Sequence, residues 1–278
     1  MPLTSTDAIV DPAYKANSGV GAFNVVQIEH AEAIIAGAEA AGLPVILQIS
    51  ENTALYHGSL APLGLASLAL ARAATVPVAV HLDHAESAGL IRSAVDVGFT
   101  SVMVDASRLP YTENVATTRE ITAYCHRADV WVEAELGEVG GKDGAHAPGV
   151  RTDPEEAREF AVATAVDALA VAVGSSHAMT RRDATLDFKL IARLRKTVDV
   201  PLVLHGSSGV DDKDLARAVD AGMTKVNIST HLNRIFTRTA RERLAAHPDL
   251  TDPRTYLGPA RDAVSAEVAR LLVLLADR

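Results

Sequence analysis

Eight short runs rich in Val, Ala, Leu and Ile recur along the chain, each separated from the next by a stretch with helical spacing, and this alternation constrains the fold more than any other feature. The runs are GVGAFNVV (19–26), PVILQIS (44–50), PVAVHLDH (77–84), SVMVDAS (101–107), VWVEAEL (130–136), DALAVAVG (167–174), PLVLHGSS (201–208) and KVNIST (225–230). Their length and apolar character suit buried parallel strands. Helical stretches at 29–41, 62–75, 87–97, 112–128, 153–165, 188–198, 211–221 and 231–246 lie between them, and several close on a glycine suited to the left-handed cap, as at Gly42, Gly98 and Gly222. Strands each followed by a helix predict an α/β chain. Eight such units predict a closed (β/α)8 barrel, the TIM barrel, over an open doubly wound sheet. No G-x-G-x-x-G follows the first strand, so the dinucleotide fingerprint of the open fold is missing.

A chain of 278 residues, 48% hydrophobic, is long enough to bury such a barrel, and the economical expectation is one domain over 1–278. Residues 251–278 read as a loop and one additional C-terminal helix. Its apolar positions Val264, Val268, Leu271, Leu272, Leu274 and Leu275 are placed to cover the barrel or to meet another subunit. The glycine-rich stretch GEVGGKDGAHAPGVRT (137–152), between strand 5 and its helix, is expected to be a mobile loop over the catalytic face. With 26 basic against 35 acidic residues the net charge is −9, which argues against nucleic acid or an anionic membrane as the main partner. Cys125 is the only cysteine, so no intramolecular disulfide forms. No segment reaches the ~18 uninterrupted apolar residues of a membrane span, and the expectation is a soluble cytoplasmic protein.

Barrels place their chemistry at the C-terminal ends of the strands. His84, His177 and His205 follow the third, sixth and seventh runs, so three imidazoles converge on one mouth. Neutral imidazoles suit Zn2+, with cobalt or iron as other fits, and a three-histidine site leaves a position where the ion polarises a substrate oxygen. Asp83, adjacent to His84, can serve the same site only if the strand bends there, because neighbouring strand residues face opposite ways; it is then a candidate proton carrier. Asp105 and Glu135 end strands 4 and 5 and are candidates to ligate a cation or to support a ligand. HGSSG (205–209) and NIST (227–230), after strands 7 and 8, expose N–H groups and hydroxyls where barrels commonly bind phosphate. Covalent chemistry through a lysine is disfavoured. The six lysines fall mostly in helices and loops, and Lys225 is expected at the start of strand 8, at the wrong end of the barrel.

The order and spacing of AFN (22–24), LQIS (47–50), HLDH (81–84), SVMVDAS (101–107), EAELG (133–137), the Gly140-Gly141 pair, DALAVAVG with His177, LVLHGSSG (202–209), VNIST (226–230) and TDPRTYL (251–257) resemble the class II, metal-dependent ketose-bisphosphate aldolases, most closely their tagatose-bisphosphate branch. The resemblance runs almost end to end. It implies reversible cleavage of a fructose or tagatose 1,6-bisphosphate to dihydroxyacetone phosphate and glyceraldehyde 3-phosphate. It implies zinc on His84, His177 and His205, with Glu135 and Asp105 at an alternative metal position, and Asp83 shuttling the proton of the C4 hydroxyl. Gly206, Ser208, Asn227, Ser229 and Thr230 would hold the ketone phosphate, with Asn24, Gln48 and Ser50 lining the same mouth. A monovalent cation, Na+ or K+, would sit on backbone carbonyls that include Ala178 and Gly206. Arg254 would reach the distal phosphate from a neighbouring subunit, which implies a homodimer or homotetramer.

Three positions depart from the family pattern. Asp143 stands where the mobile loop commonly carries a glutamate, one methylene longer. Ala178 follows His177 where a glycine is common. Ser229 replaces an aspartate frequent in the fructose branch. Two other readings therefore stay open: a metal-dependent isomerase or aldolase acting on a different phosphorylated sugar, and a non-catalytic partner subunit. Retention of the three histidines and Asp83 weighs against the second.

Overall fold

In the computed structural model, which describes residues 2–136, 151–176, 179 and 181–276, the strands are β1 (Val20–Asn24), β2 (Val45–Ser50), β3 (Val78–Ala85), β4 (Ser101–Val104), β5 (Trp131–Glu135), β6 (Ala168–Ala170), β7 (Leu202–Leu204) and β8 (Met223–Ile228). They close in sequence order, β8 returning to β1, with every neighbouring pair parallel. This is the expected α/β barrel. The helices surround it and bury their apolar faces on the outer surface of the strands.

β4, β6 and β7 stop three or four residues short of their apolar runs. Beyond them the chain bonds elsewhere: the Ala172 N–H donates to the Thr152 hydroxyl, and Ser207–Gly209 forms a single tight turn. The residues that end those runs turn across the mouth of the barrel. β8 starts two residues earlier than expected. Lys225 is consequently a fully buried residue of the barrel interior, in register with Val20 and Val203, and is not at the wrong end.

A helix over Asp7–Ala16, which strand and helix periodicity had not indicated, closes the opposite end. Its Ile9, Val10 and Ala13 form a buried cluster with Val20, Ala22, Ile46, Ala79, Trp131, Ala168, Ala170 and Val203, mostly residues from the first halves of their strands. Just before it, the Thr6 hydroxyl donates to Ser101 Oγ at 2.7 Å. The helix Arg254–Ala276 packs along the helices Ile28–Ala41 and Thr230–Ala246 of its own chain. Val264, Val268, Leu271, Leu272 and Leu275 are buried there, and Leu274 packs partly buried against the same core. Gly37 allows the crossing: a Cβ at that position would lie 2.6 Å from the Ser265 carbonyl oxygen and 2.8 Å from Val268 Cβ. Among the described residues, no single helix is long and apolar enough to cross a membrane.

Candidate active site

Asp83 and His84 reach the same cavity because β3 breaks its pleat between them. Its pairing with β4 shifts register between Leu82 and Ala85, and His84 takes a left-handed φ of 48°. A non-glycine residue in that region stores strain that the surroundings must hold in place, a common feature of functional sites. The neighbours that hold His84 are visible. Its Nδ1 donates to Asp105 Oδ2 at 2.6 Å, and the Ser107 hydroxyl donates to the other Asp105 oxygen at 2.6 Å. That bond selects the tautomer whose Nε2 lone pair can meet a cation.

His205, just past β7, is fully buried with a carboxylate at each ring nitrogen: Nδ1 lies 3.1 Å from Glu135 Oε2 and Nε2 lies 2.9 Å from Glu133 Oε1. Burial alone would lower its basicity, but the two carboxylates outweigh it and push the imidazole up to about 9. The His84 and His205 rings stand 4.6 Å apart, and ligand atoms of His84, Glu135 and His205 all lie within 4.8 Å of one another. Two imidazoles and a carboxylate, backed by Asp105 and Glu133, form a donor set that fits zinc or a similar transition metal. Asp105 faces His84, and that cluster does not include it. His177, Ala178 and Asp143 lie outside the described residues, as does nearly all of the expected 137–152 loop.

Asp83 is held by amides. Asn24 Nδ2 donates to Asp83 Oδ2 at 3.0 Å, Asn227 Nδ2 donates to Oδ1 at 3.4 Å, and Gln48 Nε2 donates to Asn24 Oδ1 at 2.7 Å. Burial would raise this carboxyl, but the charges of His84, Lys225 and His205 prevail and hold it at about 2. Asp83 is an ionised acceptor facing the metal cluster. His81 and Glu133, which the sequence did not single out, and Lys225, which it put at the far end of the barrel, are each fully buried beneath the site. His81 is kept neutral by burial and by Lys225, with Nδ1 2.9 Å from Ser101 Oγ. A signal existed in two-residue spacing. Glu133 with Glu135, His81 with Asp83 and Lys225 with Asn227 are polar pairs on one face of otherwise apolar strands.

The expected anion cradle is built by the segments that follow β7 and β8. Gly206 has φ 67°, and a Cβ there would come within 2.7 Å of the Ser176 backbone. The Ser207 hydroxyl donates to the carbonyls of Leu204 and Asn227, tying the β7 and β8 ends together. The Ser208 hydroxyl accepts from the N–H groups of Ser229 and His231, at the start of the helix Thr230–Ala246, where N–H groups favour an anion. The cavity here, about 210 Å³, is lined by Asn24, Gln48, Ser50, Asp83, His84, Gly206, Ser208, Asn227, Ser229 and Thr230 of the expected set, joined by Asn52 and Ser207. Ser50 sits at its rim, capping Thr53. Arg254 does not line it: its side chain is 90% exposed and paired with Asp252 at 2.7 Å. A larger groove of about 550 Å³ also borders Thr230, but it is lined mainly by residues of the arginine-rich 230–246 helix, and among the described residues the metal-ligating cluster lies elsewhere.

Comparisons with known proteins identify the family and the fold. Residues 4–277 match the family described as fructose-bisphosphate aldolase class-II. The fructose-bisphosphate aldolase of Geobacillus stearothermophilus is 40% identical over 272 residues, covering 96% of this chain and 95% of its own. The crystal structure of the YdjI aldolase of Escherichia coli K12 superposes with a TM-score of 0.86 at 32% identity, covering 98% of this chain and 97% of that one. The fructose-bisphosphate aldolase of Campylobacter jejuni, at 23% identity and a TM-score of 0.80 over 98% of this chain and 95% of its own, shares the fold. The chain therefore belongs to the class II fructose-bisphosphate aldolase family, lyases that split a ketose bisphosphate by aldol cleavage.

Proposed function

We propose that this protein catalyses the zinc-dependent, reversible cleavage of a ketohexose 1,6-bisphosphate, fructose or tagatose, into dihydroxyacetone phosphate and glyceraldehyde 3-phosphate. The observation that carries the proposal is that His84 belongs both to a cation-collecting cluster with Glu135 and His205 and to the lining of a small cavity that Gly206, Ser208, Ser229 and Thr230 complete with N–H groups and hydroxyls. His84, His205 and His177 would hold the zinc, with Glu135 at an alternative position and Asp105 orienting His84. When bound, the ion supplies Lewis-acid stabilisation of the negative charge left on the ketone half as the C3–C4 bond breaks.

The chain's own residues supply the rest. Asp83, ionised and held by two amides, accepts the proton of the C4 hydroxyl during cleavage and returns it during synthesis. Asn227 and the cradle fix the ketone phosphate. The Gly206 and Ala178 carbonyls are the proposed seat of Na+ or K+. Asp143 is the proposed carrier of the C1 proton, and Arg254 the proposed contact to the distal phosphate from a partner subunit in a cytoplasmic homodimer or homotetramer. Ser229 lines the cavity where the fructose branch commonly carries an aspartate, so both C4 epimers are assayed. The test is coupled detection of triose phosphates from fructose and tagatose 1,6-bisphosphate, with zinc, after chelation and after zinc is restored. Cleavage that follows the metal supports the proposal; zinc-loaded protein inert toward both sugars overturns it.

A further inference from the structure

The donor and acceptor chemistry beneath the cavity is organised around one residue. Lysine can only donate hydrogen bonds and an ionised carboxylate can only accept them, whereas an amide does both and can face either way. Lys225 Nζ, fully buried, meets an acceptor on each of three sides: Asn227 Oδ1 at 2.7 Å, Gln48 Oε1 at 3.4 Å and, as an ion pair, Glu133 Oε2 at 2.8 Å. Each amide must therefore turn its oxygen toward Lys225 and its NH2 away. For Asn227 that delivers Nδ2 to Asp83 Oδ1. For Gln48 it delivers Nε2 to Asn24 Oδ1, which in turn leaves Asn24 Nδ2 to donate to Asp83 Oδ2. Two relays start at one ammonium and end on the two oxygens of one carboxylate. The third arm holds Glu133, whose other oxygen accepts from His205 Nε2.

We propose that Lys225 is a positioning residue: by setting the direction of these hydrogen bonds it presents Asp83 and His205 together in the orientation the reaction needs. It touches neither the cavity nor the metal cluster, so it acts through Asn227, Gln48, Asn24 and Glu133. Without the ammonium, Asn227 can rotate and turn its oxygen toward Asp83, and Gln48 can rotate and let Asn24 do the same, repelling the carboxylate from its place. Misplacement on the ångström scale at a reacting group lowers turnover by ~10²-fold without a matching loss of substrate binding. The inference rests on the aldolase reading for the role of Asp83.

The test is the zinc-loaded Lys225→Met variant, with kcat and KM measured on whichever bisphosphate the wild-type protein cleaves, and the visible absorption of the Co2+-substituted protein as a reporter of His205. The expected result is a fall in kcat of ~10²-fold, KM within about 3-fold of wild type, and altered Co2+ bands. If Lys225→Met does not fold because Glu133 is left unpaired, Lys225→Met/Glu133→Gln, which removes both charges, is compared with Glu133→Gln alone and is expected to be ~10-fold or more slower. A folded variant with kcat within about 3-fold of its reference and unchanged Co2+ bands overturns the proposal, as does a loss confined to KM. The Co2+ spectrum does not depend on the sugar. Wild-type protein silent on both bisphosphates would thus remove the activity reading while the spectrum still judged Lys225.

Discussion

His84 owes its usefulness to a backbone conformation that most residues avoid. Its φ of 48° and the shifted β3–β4 register turn two successive side chains into one cavity, and Asp105 then fixes the ring. Two predictions belong at this scale. His84→Ala or His205→Ala should remove most bound zinc, measured by metal content after dialysis against a weak chelator. Asp83→Asn should keep its zinc and lose ~10²- to 10⁴-fold in kcat; an Asp83→Asn enzyme with near-normal turnover would exclude Asp83 as the proton carrier. That His84, His205, Asp83 and the segments after β7 and β8 gather at one mouth was legible because each ends or follows an apolar run, and barrel geometry gathers strand ends. Glu133 was not, because it lies within its run, where a polar residue reads as an interruption until its neighbours across the barrel are known, and Lys225, first in the run KVNIST, read as lying at the far end because β8 begins two residues earlier than that run.

At the scale of elements, the Arg254–Ala276 helix is fastened in two ways that experiment can separate. The first is close packing at Gly37. Alanine in a helix interior ordinarily adds ~0.5–1 kcal/mol of stability over glycine, but here the added Cβ meets the Ser265 carbonyl, so Gly37→Ala should instead destabilise by ~1–3 kcal/mol in urea unfolding. The second is an ionic chain: Arg270 donates to Asp212 and Glu267, and Glu267 accepts from His231 at 2.7 Å. Burial tends to raise the Glu267 carboxyl, yet the bonds from Arg270 and His231 prevail and hold it at about 2. A carboxyl lowered by folding contributes stability above its unfolded value of 4.5, and that contribution disappears as pH falls toward 2. With the side chain 17% exposed, Glu267→Gln should cost about 1–2 kcal/mol at pH 7 and close to nothing near pH 2. Equal losses at both pH values would show that packing, not charge, is responsible. The C-terminal helix was readable from its apolar spacing. The Asp7–Ala16 helix was not, although its buried Ile9, Val10 and Ala13 have helical spacing, because it precedes the first strand and stands outside the strand–helix alternation; its value lies in sealing the open end of the barrel.

For the whole molecule, the decisive question is whether one chain completes its own site. The Arg254 side chain is far out in solvent and, among the described residues, paired locally with Asp252, whereas Asp83 is buried in the barrel mouth. If Arg254 serves a partner's cavity, Arg254→Ala and Asp83→Asn proteins, each inactive, should regain activity when mixed and allowed to exchange subunits. Random dimers then give about a quarter of the wild-type sites, because half the dimers are hybrids with one intact site each. No recovery would place Arg254 outside the reaction. The order and spacing of apolar runs were enough to establish the barrel, its strand sequence and the mouth where the chemistry gathers, since burial of parallel strands is a local, periodic demand on the chain. The hydrogen-bond direction around Asp83, the flanking of His205 by two carboxylates and the interior place of Lys225 arise only on closure of the barrel. Strands far apart in sequence then bring charged groups into a space from which water is excluded, where each must find its partner in another strand.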